Sequence, residues 1–206
     1  MMTTSHVLYI ASNSASRKKL LEVAKIPFKV IEQDADESLV SIHQPLSEIV
    51  MQIALLKMEH AHIPVGQVEG EICFVLTADT LGLTTGGRVL CKPTDRSDAI
   101  SMLVDSRAGT VTATGFCLRK MQWQNNSWVV LQEVIDFDQA NSIFDVSDDC
   151  MDFYLDAIPF LSVSGAISIE GFGGQFLKSV DGSYETIIGL PMFKIRHALW
   201  SFGFYE

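Results

Sequence analysis

The stretch that most constrains this chain is VLYIASNSASRKKLLE, from Val7 to Glu22. An apolar run, Val7-Leu8-Tyr9-Ile10, leads into a loop carrying Ser12, Ser14 and Ser16. The loop opens into Arg17, Lys18 and Lys19, and Leu20, Leu21 and Ala24 are spaced for a helix with one buried side. Strand, small-residue turn and helix start predict an α/β fold. They also predict an anion cradle, because unpaired backbone N–H groups and the positive end of the helix dipole point at one place. Cations in a first turn oppose that dipole by up to about 1 kcal/mol, so a cluster of them implies an anionic partner. The loop has no glycine and no GxxxxGK[ST] pattern, so it is not a Walker-type P-loop. The plainer alternative is that Ser14 is only an N-cap and the three cations are a solvated first turn.

The chain has 206 residues, enough for one large domain or two small ones at about 150 residues per domain. With 48% hydrophobic and 19% charged residues it can bury a substantial core. Its net charge of −10 opposes a general nucleic-acid or anionic-membrane surface, since both need clustered positive charge. A phosphate site must therefore rely on local cations or a metal. Cys73, Cys91, Cys117 and Cys150 show no CxxC spacing and read as reduced thiols of a cytoplasmic protein. The start, MMTTSHVLYI, lacks the basic and apolar regions of a signal peptide. The most apolar stretch, Ala157–Ile169, is interrupted by Pro159 and Gly165 and is shorter than the roughly 20 residues a bilayer requires.

Along the chain, Pro27–Ile31 reads as a second strand followed by the acidic loop Asp34-Ala35-Asp36-Glu37. Pro45 to about His62 is helical, with Leu46, Ile49, Val50, Ile53 and Ala54 on one face and Lys57 continuing the stripe. Cys73–Ala78 predicts a buried strand ending at Asp79-Thr80, and Gly86-Gly87 a hairpin returning along Val89-Leu90 to Lys92-Pro93. Thr94–Val104 predicts a third helix. Thr110–Met121 and Trp128–Asp138 flank the turn Gln124–Ser127 as a long hairpin. Ser147 is placed to cap a helix reaching about Asp156, Phe176–Val180 reads as a strand, and a last helix follows Pro191. No repeat or linker interrupts this order, which predicts a single α/β unit around a mixed central sheet.

The chemistry-bearing residues sit where α/β proteins place ligand sites. Asp79 and Glu37 each follow a strand, and two carboxylates so delivered can share Mg²⁺ or Mn²⁺, which in turn takes phosphate oxygens. Alternatively, residues 34–37 form a solvated turn and Asp79 caps its own backbone. Lys57, on an apolar stripe, either snorkels outward or finds an anion. Lys92, extended before Pro93, points into the same site or into water. The five histidines show no ligand pattern, and His60 and His62 fall on different helix faces.

Taken together, ASNSASRKKLL, DADE, ALLKMEHA, ADT, KPTDRSDAISML, GAISIEGFGG and DGSYETIIGLP resemble the Maf family of nucleoside triphosphate pyrophosphatases, described as septum-formation inhibitors. The resemblance runs nearly end to end. It implies one Maf-like domain over residues 1–206, with two lobes, an intervening cleft and a fold related to inosine triphosphate pyrophosphatases. It places Ser12 and Arg17 at the phosphates, with Ser14 and Ser16 beside them. Lys57 and Lys92 fall on the triphosphate, Glu37 on the metal, and Asp79 serves as metal ligand or base. The implied reaction is metal-assisted attack of water on the α-phosphorus, releasing a nucleoside monophosphate and pyrophosphate.

Three positions depart from the family pattern. Ser16 stands where many members have a second arginine, Cys91 where glycine usually precedes Lys-Pro, and Glu170 where members acting on dTTP and UTP carry Gln. A carboxylate cannot donate a hydrogen bond, so Glu170 should favour a base with N–H groups or positive charge, such as 7-methylguanine, unless it faces water. The expectation is a pyrophosphatase for a 7-methyl-GTP-type nucleotide. The alternatives are a dTTP/UTP pyrophosphatase, or a non-catalytic nucleotide-binding regulator of cell division. A homodimer is implied by the resemblance alone.

Overall fold

Strand β1 (Leu8–Ile10) lies between β2 (Phe28–Val30) and β3 (Ile72–Thr84), parallel to both, with Leu8 opposite Phe28 on one side and Phe74 on the other. Parallel neighbours need crossovers, and helices α1 (Ala15–Val23) and α2 (Leu46–Glu59) supply them. The structure is a computed structural model that describes Thr4 and residues 6–205, so part of the segment read for a leader lies outside the described residues. Strand β4 (Val89–Leu90) pairs antiparallel with β3. The sheet is completed by β5 (Thr110–Gln124), β6 (Ser127–Phe144) and β7 (Leu177–Asp181), in the order β2-β1-β3-β5-β6-β7 with β4 beside β3. The other helices are α3 (Arg96–Ser106), α4 (Met151–Ala157), α5 (Tyr184–Ile188) and α6 (Met192–Ser201). The mixed sheet with flanking helices is the architecture expected from the sequence.

The chain falls into two compact units. The first comprises Met1–Asp79, Thr114–Asp138 and Gly189–Glu206, and the second Thr80–Ala113 and Gln139–Ile188. In the first, strand alternation supplies both faces with apolar side chains. Leu8, Ile10, Phe74, Leu76, Phe116 and Leu118 pack with Leu21 of α1 and with Ile195 and Leu199 of α6. Cys73, Val75, Cys117 and Met121 pack with Met58 of α2. In the second unit, Ala99 and Leu103 of α3 join Phe144, Met151, Tyr154, Leu155 and Ile169. Tyr154 is fully buried there. Its hydroxyl donates to the Ala166 carbonyl at 2.8 Å and accepts from the Ser168 N–H at 2.9 Å.

Several boundaries differ from the sequence expectation. Strand β3 continues through Asp79 to Thr84, because Thr80, Leu81, Leu83 and Thr84 keep the β-branched and apolar character that suits a pleat. Asp79 is therefore a mid-strand residue and does not emerge at a strand end. Strand β6 extends past Asp138 to Phe144, since Asn141–Phe144 pair with β7. The β5–β6 turn holds Asn125 and Asn126 at φ of 50° and 60°, the left-handed conformation that a two-residue hairpin requires and that asparagine tolerates. Ser147 precedes a 3₁₀ turn, Asp148–Cys150, ahead of α4, and its side chain makes no capping bond. Helix α5, only five residues long, carries too little periodicity to be read from sequence.

Candidate active site

The serine loop is built as a cap and a brace. Ser14 accepts from the Arg17 N–H at 3.3 Å, capping α1, and Ser12 Oγ accepts from the Ser14 N–H at 3.3 Å. Ser12 Oγ also accepts from Arg17 Nη1 at 3.3 Å, while Arg17 Nε donates to the Gly189 carbonyl at 2.9 Å. The guanidinium is thus fastened on two edges and held in one orientation. Desolvation pushes its pKa down, and the carboxylates of Asp79 and Glu37 pull against that shift. Ser14 is an N-cap, as the plainer reading had it, and Arg17 is a half-buried, oriented cation in the field of two acids. Ser16 is half-buried within the first turn of α1.

Those acids converge through α2. Gly115 of β5 has no side chain, and a Cβ there would lie 2.5 Å from the backbone carbon and oxygen of Val50, so only glycine lets α2 settle this closely. Two rungs then join the same face of β3 to the same face of α2. Thr77 Oγ1 donates to the Ala54 carbonyl at 2.6 Å, and two residues along the strand Asp79 Oδ1 accepts from Lys57 Nζ at 2.7 Å. Lys57 also pairs with Glu37 Oε1 at 2.8 Å. Lys57 is only 7% exposed and Asp79 6%, whereas the Glu37 side chain is half-exposed. The stripe lysine therefore finds an anion, and it finds two. A buried charge is tolerated only when paired in this way.

The acidic loop divides its labour. Asp36 caps the 3₁₀ turn Glu37–Leu39 by accepting from the Ser38 N–H at 3.1 Å, Glu37 goes to Lys57, and Asp34 goes to His60 at 3.3 Å and His62 at 3.4 Å. The histidines, which had no pattern as a helical pair, meet because α2 ends at Glu59 and His62 lies beyond the helix. The backbone clamp on Arg17 by Gly189 was equally invisible, since it spans 172 residues.

Asp79 Oδ2 is buried with no hydrogen-bond partner, beside the half-exposed Glu37 carboxylate. Such an orphan is costly unless something else takes it. Two hard oxygen donors on one lysine fit Mg²⁺ or Mn²⁺, which commonly take one or two carboxylates and fill the remaining positions with water and phosphate oxygens. No group of three or more His, Cys, Asp or Glu side chains suited to a metal occurs among the described residues.

The two remaining expected site residues lie in the second unit. Lys92 is exposed, two residues after β4. Glu170 is half-buried at the start of the 3₁₀ stretch Gly171–Phe176 and acts electrostatically on Tyr184.

The family model for Maf-like proteins matches residues 7–202. This chain belongs to the Maf family. Among curated relatives, this Maf-family chain is 31% identical over 199 residues to a protein of Xanthomonas axonopodis pv. citri named dTTP/UTP pyrophosphatase, covering 96% of this chain and 99% of the relative. A protein of the same name from Caldanaerobacter subterraneus subsp. tengcongensis is 30% identical over 190 residues, covering 91% and 85%. A third, from Bacillus cytotoxicus, is 29% identical over 195 residues, covering 94% of each. Among the described residues, no helix of this Maf-family chain is long and apolar enough to cross a membrane.

Proposed function

We propose that the chain hydrolyses a nucleoside triphosphate to the monophosphate and pyrophosphate with the help of Mg²⁺ or Mn²⁺. Membership of the Maf family, with about 30% identity to named pyrophosphatases over almost the whole chain, makes it a nucleoside triphosphate pyrophosphatase. The observation that carries the mechanistic reading is the buried Lys57 ammonium holding Glu37 and Asp79 together while Asp79 Oδ2 stays without a partner.

In this reading water attacks the α-phosphorus, the bond from that phosphorus to the bridging oxygen breaks, and pyrophosphate leaves with the electron pair. Asp79 Oδ2 takes the proton of the water or binds the metal together with Glu37, a role its lack of a partner supports. The bound metal would neutralise phosphate charge and acidify a coordinated water. Lys57 orients both carboxylates, Arg17 meets the phosphates in the attitude set by Ser12 and Gly189, and Lys92 adds a cation to the triphosphate. Ser14 and Ser16 belong to the same loop and first helical turn, Ser14 as the cap that fixes the start of α1.

For the base, Glu170 supports 7-methyl-GTP or a similar modified nucleotide, since a carboxylate accepts hydrogen bonds and attracts a cationic ring. The names of the relatives favour dTTP and UTP instead. Pyrophosphate release across a panel of ordinary and modified triphosphates with Mg²⁺ or Mn²⁺ separates the two. Turnover of 7-methyl-GTP above dTTP is expected, and the reverse ranking would refute the role given to Glu170. Binding without turnover of any triphosphate would instead establish a regulator. Asp79→Asn should lower kcat by a factor on the order of 10² to 10⁴.

A further inference from the structure

Two ties join the acidic loop to the last turn of α2, and each partner is three residues from its counterpart. Glu37 pairs with Lys57 at 2.8 Å, and Asp34 pairs with His60 at 3.3 Å. Lys57 lies in the last turn of α2 and His60, three residues on, is its C-cap, so the two present an ammonium and an imidazole, side by side, to the same loop. His62 adds a second imidazole, its Nε2 at 3.4 Å from the other Asp34 oxygen. The base of the loop is stitched by backbone as well, with Gln33 bridged to Ala61 and the His62 N–H donating to the Glu32 carbonyl at 2.9 Å. Beyond that stitch, among the described residues, Asp34 alone links the loop to the α2 side before Glu37 is reached. The next charged neighbour on the helix, Glu59, is engaged by Arg119.

We propose that Asp34, His60 and His62 form a clasp that positions Glu37 for the reaction. The three are positioning residues, since none touches the reacting atoms. This rests on the reading of Glu37 given above. Desolvation pushes the Asp34 carboxyl up, but hydrogen bonds from His60 and His62 outweigh it and leave the pKa below the ordinary carboxylate value, so the loop side of the clasp is an anion held by two rings. Its groups are exposed, so a modest effect is expected, of the size exposed ion pairs show.

The test compares wild type, Asp34→Asn, the double variant His60→Ala with His62→Ala, and that double variant carrying Lys in place of Ala at position 60. Two readouts are used: kcat and KM for triphosphate hydrolysis, taken separately, and hydrogen exchange of the amides of residues 36–39. Asp34→Asn and the double Ala variant should each lose about two- to fivefold in kcat/KM and exchange those amides faster. The lysine variant should recover activity, because its ammonium restores the tie to Asp34. No deficit in either variant, unchanged exchange, or failure of lysine to rescue overturns the clasp. Absence of turnover in the wild-type protein overturns the pyrophosphatase reading instead, and the exchange measurement still decides whether the clasp exists.

Discussion

The two units treat charge in opposite ways. Among the described residues, the buried polar side chains of the second unit are all neutral hydroxyls: Thr84, Ser106, Thr110, Thr112, Ser142 and Thr186. Its arginines stay near the surface, where Arg96 reaches Asp152 and Asp156 of α4 at 2.7 Å each and Arg88 reaches Asp98 and Asp105 of α3 at 2.6 and 2.9 Å. The first unit buries a full ion pair, Lys57 with Asp79, and sets the half-buried Arg17 in the field of the same acids. Apolar residues of similar size would often be as stable in such a place. Charge buried at that cost, with one carboxylate oxygen left over, is what the proposed chemistry draws on. Charge left at a helix surface serves only to fasten helices.

The sharpest way to break this contrast is Lys57→Met. It leaves Asp79 buried and unpaired, which costs about 3–5 kcal/mol, and the melting temperature should fall on the order of 10 °C. Adding Asp79→Asn to that variant should recover much of the loss, since the stranded charge is gone, while activity stays abolished. If thermal denaturation of the single variant matched wild type, the pair would be more solvated than its burial implies.

Gly115→Ala comes next. Its Cβ would meet Val50 backbone at 2.5 Å, so α2 must move, at about 1–3 kcal/mol. Because Lys57 lies two turns beyond Val50 on that face, turnover should fall more than stability does, as steady-state kinetics beside calorimetry would reveal.

Alkaline unfolding sharpens the comparison further. Burial raises the thiols of Cys73 and Cys117, both in the first unit, to about 12 from an ordinary 9. The unfolded chain therefore ionises first, and stability present below pH 9 is lost as pH rises toward 12. Burial likewise raises the Tyr154 hydroxyl of the second unit above its ordinary 10. Urea midpoints should accordingly begin to drop above pH 9, and replacing Cys73 and Cys117 by Ala should delay the onset until tyrosine ionises. At pH 8 a thiol reagent should modify the exposed Cys91 quickly and leave Cys73 and Cys117 untouched.

The smallest effect belongs to the second unit's surface. Arg96→Ala removes two contacts to carboxylates that are 84% and 70% exposed, and the melting temperature should change by no more than about 2–4 °C. A larger fall would show that surface arginines in that unit bear more of its stability than their exposure suggests.

Local patterns in the sequence were enough for the elements and for most of the candidate site residues. Periodicity placed α2 and put Lys57 on its buried stripe, the strand–loop–helix opening located Ser12, Ser14 and Arg17, and apolar runs marked β1 and β3. These are short-range properties, and one chain carries them without knowing its partners. Where the pattern was ambiguous, burial and pairing decided. Asp79 looked like the end of a strand because a charged residue seldom sits inside one, and only the lysine across from it makes that position tolerable. The strand read as ending at Asp138 runs on to Phe144, because β7 supplies a partner for Asn141–Phe144.

The sequence by itself thus determined an α/β fold and a set of cations and acids suited to phosphate chemistry. Only the tertiary structure decided how they combine: that Lys57 serves two carboxylates at once, that Asp79 keeps an oxygen without a partner, that Gly189 holds Arg17 from 172 residues away, and that His60 and His62 close on Asp34. The reason is physical. Propensity and periodicity act over one or two turns of chain, whereas the fate of a buried charge depends on what other segments bring to it, and no local pattern encodes that meeting.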